Sequence, residues 1–390
     1  MTAIRTSFLA RQRGMGIVEV MVGILIGMIV VAAVYSVFSV AEGYKRTAVG
    51  AADAQTTGLF AQFVLAREIS NAGTGVSLDA ADLGTCTLAA ANWIIPASFA
   101  VAGVRPIRPI PVLIHDGGGP NNPDSLIVTY STASHVLHSV LVVDKPMVAT
   151  GDTLYVQSPN GFRAGDRIIV NNKAGNCELS SVTGVIPGSS AGDVTTGFVG
   201  LTHPNFANLY ISTGSTDGPG VINLGQAGES TRTLFDVVNG QLRTSDLFAN
   251  PPAGGPANPI AQNVVLMKAL YGVDCLNNGV VLWTRATATN ICGDGLNYTP
   301  DDLTKPAVYT SALLARIRAI RIGIVVRSDE PDLKDPALVG QTGVLFNCST
   351  NNAACQGRTA LNNTILADGY RHRFYETIVP MRNAIWNTGL

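Results

Sequence analysis

The chain has 390 residues, a formal net charge of −1 and a charged fraction of only 14%. It lacks the basic surplus that nucleic-acid binding requires, so we expect no nucleic-acid partner. Its 41 glycines and 20 prolines, together with the low charge, are typical of an exported β-rich protein with long loops.

A basic segment precedes a long apolar segment at the N-terminus. Residues 1–14 hold three arginines and no acid, and residues 15–40 are almost entirely apolar or small. A helix over residues 15–40 spans roughly 39 Å, enough to cross a bilayer. Because positive residues stay on the cytoplasmic side, we expect everything after Val40 to lie in the periplasm or outside the cell.

One acid, Glu19, interrupts the apolar segment five positions after Gly14. A carboxylate in a bilayer is costly, about 2.5–3.5 kcal/mol at the centre and less near the interface. A cut after Gly14 would give Met15 a free α-amino group one helical turn from Glu19. In a stack of helices, Glu19 of one subunit could pair with that amine of its neighbour and set the axial register. Gly23 and Gly27 form a small-xxx-small pair that permits close helix packing.

This N-terminus resembles the prepilin signal of type IV pilins and of type II secretion pseudopilins. The resemblance implies that a prepilin peptidase cuts after Gly14 and methylates Met15, and that an acid is needed at the fifth mature position, here Glu19. An ordinary secretory signal has a shorter apolar region, and a plain membrane anchor would not explain the spacing of Gly14 and Glu19.

Beyond the membrane segment we expect the helix to continue over residues 41–72, since the first proline after it is Pro96. Apolar residues recur there at three- and four-residue steps, which predicts one face packed on a globular head. Gly58 lies inside this segment and weakens the helix by about 1 kcal/mol relative to alanine. Residues 71–73, Asn-Ala-Gly, predict the end of the helix. The residues of the predicted packing face are Leu59, Phe60, Phe63, Val64 and Ile69.

Residues 73–390 are predicted to form a large, predominantly antiparallel β head, so the fold class is α+β and pilin-like. A glycine- and serine-rich segment, about 184–228, is expected to be a surface loop. A proline-rich loop over 251–259 could divide the head into two lobes near 250–260. A short helix is expected at 311–316. The predicted strands lie at 124–131, 136–143, 153–157, 167–171, 263–274, 317–327 and 370–379.

The six cysteines are an even number in an exported region, which predicts disulfides. Their spacing favours the local pairs Cys275–Cys292 and Cys348–Cys355, and leaves Cys86–Cys177. No CxxC occurs and no histidine has ligand spacing to a cysteine, so we expect no metal site.

We expect neither catalysis nor a cofactor. The segment 115–119, His-Asp-Gly-Gly-Gly, lacks the lysine of a phosphate-binding loop, and no GxSxG elbow occurs. The acids of 294–302 do not fit a calcium loop, although calcium stays the weaker alternative there. The arginines at 316, 318, 321 and 327 are interpreted as a charged face, with a binding strip for an acidic partner as the alternative.

Six phrases spread over the chain form an ordered set: Ala66–Gly73, Asp124–Tyr130, Gly165–Val170, Val264–Asp274, Ile317–Ser328 and Arg371–Asn383. In their order and spacing they resemble the PilW family of minor pilins. The resemblance implies a low-abundance subunit that primes pilus assembly or forms part of a tip complex, with a role in twitching motility and cell adhesion.

The same resemblance implies the partners and the location. The partners are other minor pilins, the major pilin, a large tip adhesin, the prepilin peptidase and the inner-membrane assembly platform. The chain would first be a single-pass inner-membrane protein with a periplasmic head, and then part of the pilus at the cell surface. The alternatives are a J-type minor pseudopilin of a type II secretion system and a pilin-anchored adhesin.

Overall fold

The computed structural model forms two compact units, residues 1–52 and residues 53–390, which are described separately. It describes residues 14, 16–76, 87–88, 93, 95–99, 101, 108–119, 121–133, 140–141, 153–156, 161–171, 177–187, 199–202, 220–226, 229, 232–249, 256–287, 290–305, 314–331, 342–346, 361–364 and 369–385.

A single long helix, α1 (Ile17–Asn71), contains 55 residues and confirms the predicted N-terminal helix. Within the described part of the chain, α1 is the one helix that is long and apolar enough to cross a membrane. Its most apolar window has a mean hydropathy of 2.8, and none of that window is buried. The end at Asn71 also agrees with the prediction: Gly73 follows with a φ of +81°, a conformation that glycine adopts readily.

The part of α1 in the second unit packs through a face that agrees with the predicted one at Val64 and Ile69 and differs from it at three other positions. Leu59, Phe60 and Phe63 were expected to face the head, but they are 51%, 51% and 63% exposed. The sequence places apolar residues on both sides of this segment, and small residues allow the closest approach to the sheet. The buried residues are Ala54, Gly58, Ala61, Leu65, Glu68 and Ile69.

The described part of the head is built from antiparallel strands, which confirms the α+β, pilin-like fold class. In chain order they are β1 (Val112–His115), β2 (Ser125–Thr129), β3 (Val140–Leu141), β4 (Leu154–Val156), β5 (Asp166–Asn171), β6 (Cys177–Ser181), β7 (Gly184–Pro187), β8 (Val199–Thr202), β9 (Gly220–Gln226), β10 (Arg232–Val238), β11 (Gln241–Asp246), β12 (Asn258–Gln262), β13 (Val264–Val273), β14 (Leu282–Thr284), β15 (Ile317–Arg327), β16 (Thr342–Leu345), β17 (Leu361–Thr364) and β18 (His372–Pro380). The short helices are a 3-10 turn (Ala97–Phe99), α2 (Pro300–Leu303) and α3 (Arg382–Ile385).

Two larger sheets carry the main core. One has five strands in the order β1-β2-β10-β11-β12, and the other has four strands in the order β14-β13-β15-β18. The remaining sheets have the orders β3-β9-β5-β6, β4-β8-β7 and β16-β17. The Tyr271 hydroxyl on β13 joins the two larger sheets, because it accepts a hydrogen bond from the Ile114 N–H at 2.7 Å and donates one to the Val112 carbonyl at 3.4 Å.

The predicted loop over 184–228 is partly wrong. It contains β7, β8 and β9, and β9 is a buried strand between β3 and β5. The apolar run Val221-Ile-Asn-Leu224 is short, and glycines, which are typical of loops, flank it on both sides. The sequence pattern therefore does not predict a strand here.

Two further expectations fall on residues that the structure describes incompletely. Of the short helix expected at 311–316, residues 311–313 lie outside the described residues. Residues 250–255 also lie outside them, so the division into two lobes near 250–260 stays a prediction.

Candidate assembly helix and its head contacts

The start of α1 presents the predicted register acid on an open first turn. Gly14 and Gly16 are exposed, whereas Met15 lies outside the described residues. The Gly16 carbonyl accepts hydrogen bonds from the N–H groups of Glu19 at 3.0 Å and Val20 at 3.2 Å. Glu19 therefore lies in the first helical turn, where the helix dipole favours a negative charge.

The apolar surface of α1 in the first unit is uncovered on all sides. Ile17 is 80% exposed and Phe38 is 67% exposed. A Cβ added to Gly23 or Gly27 would meet nothing within 4 Å, so both helix-packing candidates face open space. A helix that is apolar all round is stable only when lipid or other helices surround it.

In the second unit, β18 packs against α1 through a close approach at Gly58. A Cβ on Gly58 would lie 2.5 Å from Cζ and 2.6 Å from Cδ2 of Tyr375, which is far inside normal contact. The Tyr375 hydroxyl donates to the Ala54 carbonyl at 3.4 Å, and Gln62 Nε2 donates to the Glu376 carbonyl at 3.1 Å. Gly58 is therefore a packing residue here as well as a weak point of the helix.

Asn383 holds the C-terminal end of α1. Its Nδ2 donates to Thr74 Oγ1 at 2.7 Å and to the Ala72 carbonyl at 3.2 Å. These groups belong to the helix end, whose carbonyls have no partner within the helix. Sequence reasoning missed this role, although Asn383 ends one of the phrases that carry the PilW resemblance.

A cleft of about 760 Å³ lies beside the helix end, and Arg67, Glu68, Tyr130 and Asp246 in its lining have hydrogen-bond partners. Glu68 Oε2 accepts from the Tyr130 hydroxyl at 2.8 Å, and Glu68 Oε1 accepts from Arg67 Nη2 at 2.8 Å. Burial, and then the hydrogen bond to Glu68, raise the pKa of Tyr130. Asp246, also in the lining, accepts from the Phe248 N–H at 2.8 Å. The raised pKa keeps the Tyr130 hydroxyl protonated as a donor to Glu68, which disfavours a role for this pair as nucleophile and base.

The glycine-rich segment at 115–119 is part of a charge network that points into the head. Asp124 forms a buried ion pair with Lys268 at 2.7 Å, and the two side chains are 2% and 1% exposed. Asp116 accepts two hydrogen bonds of 2.6 Å from Arg285. Burial alone would raise the pKa of Asp116, but the hydrogen bonds from Arg285 and from the Gly118 N–H hold it below its usual value. The carboxylates of Asp116 and Asp124 accept hydrogen bonds from the N–H groups of this loop, so these N–H groups have partners within the chain.

The arginines of the predicted charged face have partners inside the head. This pairing disfavours the alternative of a strip that binds an acidic partner. Arg316 pairs with Asp294, Arg318 donates to Asn277, Arg321 pairs with Glu376, and Arg327 lies over the Tyr370 ring.

The weaker calcium alternative at residues 294–302 finds no ligand cluster among the residues that the structure describes. No group of three or more His, Cys, Asp or Glu there could hold a metal ion. Asp294 pairs with Arg316, whereas Asp301 and Asp302 pair with Lys305, so these acids are neutralised by cations of the chain itself.

The predicted disulfide between Cys275 and Cys292 is confirmed, with a Cα–Cα distance of 5.4 Å. Cys177 is also disulfide-bonded. Its N–H donates to the carbonyl of Thr87, the residue after Cys86 in the sequence, at 3.1 Å. Cys86, Cys348 and Cys355 lie outside the described residues, so the pairs Cys86–Cys177 and Cys348–Cys355 stay predictions.

Two family models match the chain. The model described as Type IV Pilus-assembly protein W matches residues 224–383, and the Prokaryotic N-terminal methylation motif matches residues 9–35. These matches confirm the resemblance to the PilW family. No curated protein and no solved structure gives a significant match to the chain.

The PilW match begins in β9 and ends at Asn383. It therefore contains the whole β14-β13-β15-β18 sheet and the residue that holds the end of α1. The motif match contains Gly14, Met15 and Glu19. Together they support a type IV pilus-assembly protein with an N-terminal methylation motif, which is a structural protein rather than a known enzyme. The motif and the apolar helix fit a membrane-anchored pilin, and the family match is consistent with interaction with other pilus components.

Proposed function

We propose that this chain is a minor type IV pilin that primes pilus assembly or forms part of a tip complex. Processing removes residues 1–14 and methylates the new N-terminus, Met15. The observation that carries the proposal is a single acid, Glu19, on the open first turn of an uncovered apolar helix, inside a methylation-motif match.

Glu19 acts through charge pairing in the assembled filament. A carboxylate held among apolar helices needs a counter-charge, and a partner ammonium in the same low-dielectric surroundings supplies it. Cleavage after Gly14 creates that ammonium at Met15. The pairing of one subunit's Glu19 with its neighbour's amine sets the axial position of the incoming subunit, and Gly23 and Gly27 allow the helices to approach closely.

The proposal also sets the location and the partners. Before assembly, residues 15–40 anchor the chain in the inner membrane, and its head lies in the periplasm. It then joins the pilus with other minor pilins, the major pilin and a tip adhesin, through the assembly platform of the inner membrane. Removing three arginines with the leader lowers the formal charge from −1 to −4 before the termini are counted.

The processing step is tested by Gly14→Ala. We expect this variant to keep residues 1–14, because the peptidase needs the glycine at the cut. Intact mass spectrometry of the membrane protein shows the result directly, since the wild type begins at a methylated Met15. Mature-sized Gly14→Ala protein in cells with active peptidase would contradict the proposal.

The register role is tested by Glu19→Ala, with Glu42→Ala as the matched control. Both residues are acids of α1, but Glu19 is exposed, whereas Glu42 is half-buried and already paired with Arg46 at 3.6 Å. We expect Glu19→Ala to be cleaved normally and lost from sheared pili, and Glu42→Ala to enter the pili. Equal amounts of both variants in pili would contradict the pairing of Glu19 with the amine of the neighbouring subunit.

Deletion of the gene separates the pilus from the secretion alternative. We expect loss of pili and of twitching motility, with secretion of exoenzymes unchanged. The reverse pattern would assign the chain to a type II secretion system as a minor pseudopilin.

A further inference from the structure

The cleft beside the end of α1 has a floor built from strands β10, β11 and β12. Phe235 of β10 lies directly opposite Thr244 of β11, and Thr244 lies opposite Asn258 of β12. Two residues further along β11, Asp246 lies opposite Thr233 of β10. Side chains alternate along a strand and share a face with the opposed residue, so these five residues lie on one face of the sheet, and all five line the cleft.

The lining of this cleft carries an excess of negative charge. It holds one arginine, Arg67, and three acids, Glu68, Glu229 and Asp246. Arg67 and Glu68 already form an ion pair at 2.8 Å, so their charges cancel. Glu229 and Asp246 have no cation at ion-pair distance within the described part of the chain. The two segments that border the cleft, residues 225–231 and 244–260, contain no lysine or arginine in the sequence.

Thr233 is a second and independent indication of a polar ligand. This residue is only 6% exposed, and it lies on the floor opposite Asp246. Its hydroxyl has no hydrogen-bond partner among the residues that the structure describes. A buried hydroxyl without a partner is unfavourable, and a donor placed in the cleft would supply that partner.

The chemistry of the lining fits a long basic side chain. Val64 and Ile260 are half-buried in the lining and offer apolar contacts to the methylene groups of lysine or arginine. Ammonium and guanidinium groups are donors only, and they match the acceptors of Asp246 and Thr233. A metal ion is a poorer match, because no group of three or more His, Cys, Asp or Glu among the described residues could hold one.

We propose that the cleft binds a lysine or arginine side chain carried by an extended segment of another protein. The charged group of that side chain lies between Asp246 and the Thr233 hydroxyl, and the exposed Glu229 adds a second negative charge at the rim. The volume of about 760 Å³ is in the range of ligand-binding clefts and leaves room for neighbouring residues of the segment. This binding needs neither leader removal nor Glu19, so it goes beyond the proposed function.

The test uses the purified full-length chain in detergent and pools of fluorescently labelled nine-residue peptides. Each pool has one fixed central residue and mixed neutral residues around it, and fluorescence polarisation measures the dissociation constant. We expect pools with a central arginine or lysine to bind about tenfold more tightly than the pool with a central glutamine, because a fixed carboxylate discriminates by charge. The pool with a central glutamate should bind most weakly.

Two charge-removing substitutions connect this preference to the cleft. Asp246→Asn removes the charge but keeps an oxygen that accepts from the Phe248 N–H, and Glu229→Gln keeps the size of the side chain. The double variant should lose the preference for a basic residue over glutamine. The matched control is Asp236→Asn, because Asp236 lies on the opposite face of β10 and is paired with Arg243 at 2.6 Å. This control should keep the tenfold preference.

The outcomes decide this proposal separately from the minor-pilin function. The proposal is overturned if no pool shows a basic preference, if the double variant keeps the preference, or if Asp236→Asn loses it as well. Spermidine that binds more tightly than every pool, or a dimer of this chain that requires Asp246 in sedimentation, would assign the cleft to another occupant and also overturn it. Absence of the wild-type chain from pili overturns the minor-pilin function and leaves the peptide preference unaffected.

Discussion

The close approach of Tyr375 to Gly58 predicts that Gly58→Ala destabilises the wild-type protein but stabilises a variant that lacks the Tyr375 ring. In an open helix, Gly→Ala stabilises by about 1 kcal/mol. Here the added Cβ would lie 2.5 Å from Tyr375 Cζ, so the ring must move and its contact with Ala54 is lost. Overpacking of this kind costs about 1–3 kcal/mol. We therefore expect Gly58→Ala to lower the free energy of unfolding by about 0–2 kcal/mol.

The same substitution should become stabilising when the ring is removed. In the Tyr375→Ala background the Cβ of Gly58→Ala meets no ring, and we expect a gain of about 1 kcal/mol relative to Tyr375→Ala alone. The assay is urea unfolding of the full chain in detergent, followed by the fluorescence of the buried Trp93 and Trp283. The double-mutant cycle isolates the coupling between the two positions.

The control for this cycle is Gly43→Ala, because a Cβ on Gly43 meets nothing within 4 Å. It should not destabilise the head in either background. The reasoning is refuted if Gly58→Ala stabilises the wild type as much as it stabilises Tyr375→Ala, since the coupling energy would then be zero.

Three further predictions concern the polar contacts of the head. Lys268→Met should destabilise by about 3–5 kcal/mol because it leaves Asp124 buried without its cation, and adding Asp124→Asn should recover more than half of the loss. The pKa of Asp116 is lowered in the folded protein, so its stabilisation is present above the unfolded pKa of about 3.9 and is lost as the pH falls through the folded value. Arg285→Met should therefore lose less stability than the wild type as the pH falls below about 4. Asn383→Ala should cost about 1 kcal/mol by freeing the end of α1.

Urea unfolding measures all three, at fixed pH for the first and the last and as a pH series for the second. A double variant no more stable than Lys268→Met would contradict the account of the buried pair. Identical acid profiles for the wild type and Arg285→Met would contradict the Asp116 assignment. An Asn383→Ala protein with unchanged stability would show that the helix end is held by other contacts.

Much of the fold class and of the assembly helix could be predicted from local patterns. Uninterrupted hydrophobicity and the absence of proline are local properties, and they predicted α1 and its end at Asn71. Strands of alternating or continuous apolar residues, such as β13 and β15, carry their own signal. β9 does not, because a short apolar run between glycines gains its strand character only from pairing with β5 and β3.

The choice of helix face shows where sequence reasoning stopped. Large apolar residues at 59, 60 and 63 have the right spacing for a packing face, yet the head packs on a face that begins at Ala54 and Gly58 and ends at Ile69. Tyr375, a residue more than 300 positions away in the sequence, packs against Gly58 on this face. Likewise, nothing local indicates that Asp124 meets Lys268 or that Asn383 meets Ala72.

The sequence by itself determined the long apolar helix, the position of Glu19 five residues after Gly14, and the β-rich character of the head with its Cys275–Cys292 disulfide. These depend on composition and spacing along one segment. Only the tertiary structure decided which face of α1 is covered, which charges are buried together and where the helix end is held. Those outcomes depend on side chains from distant strands that meet only when the sheets pack, and no local pattern contains that information.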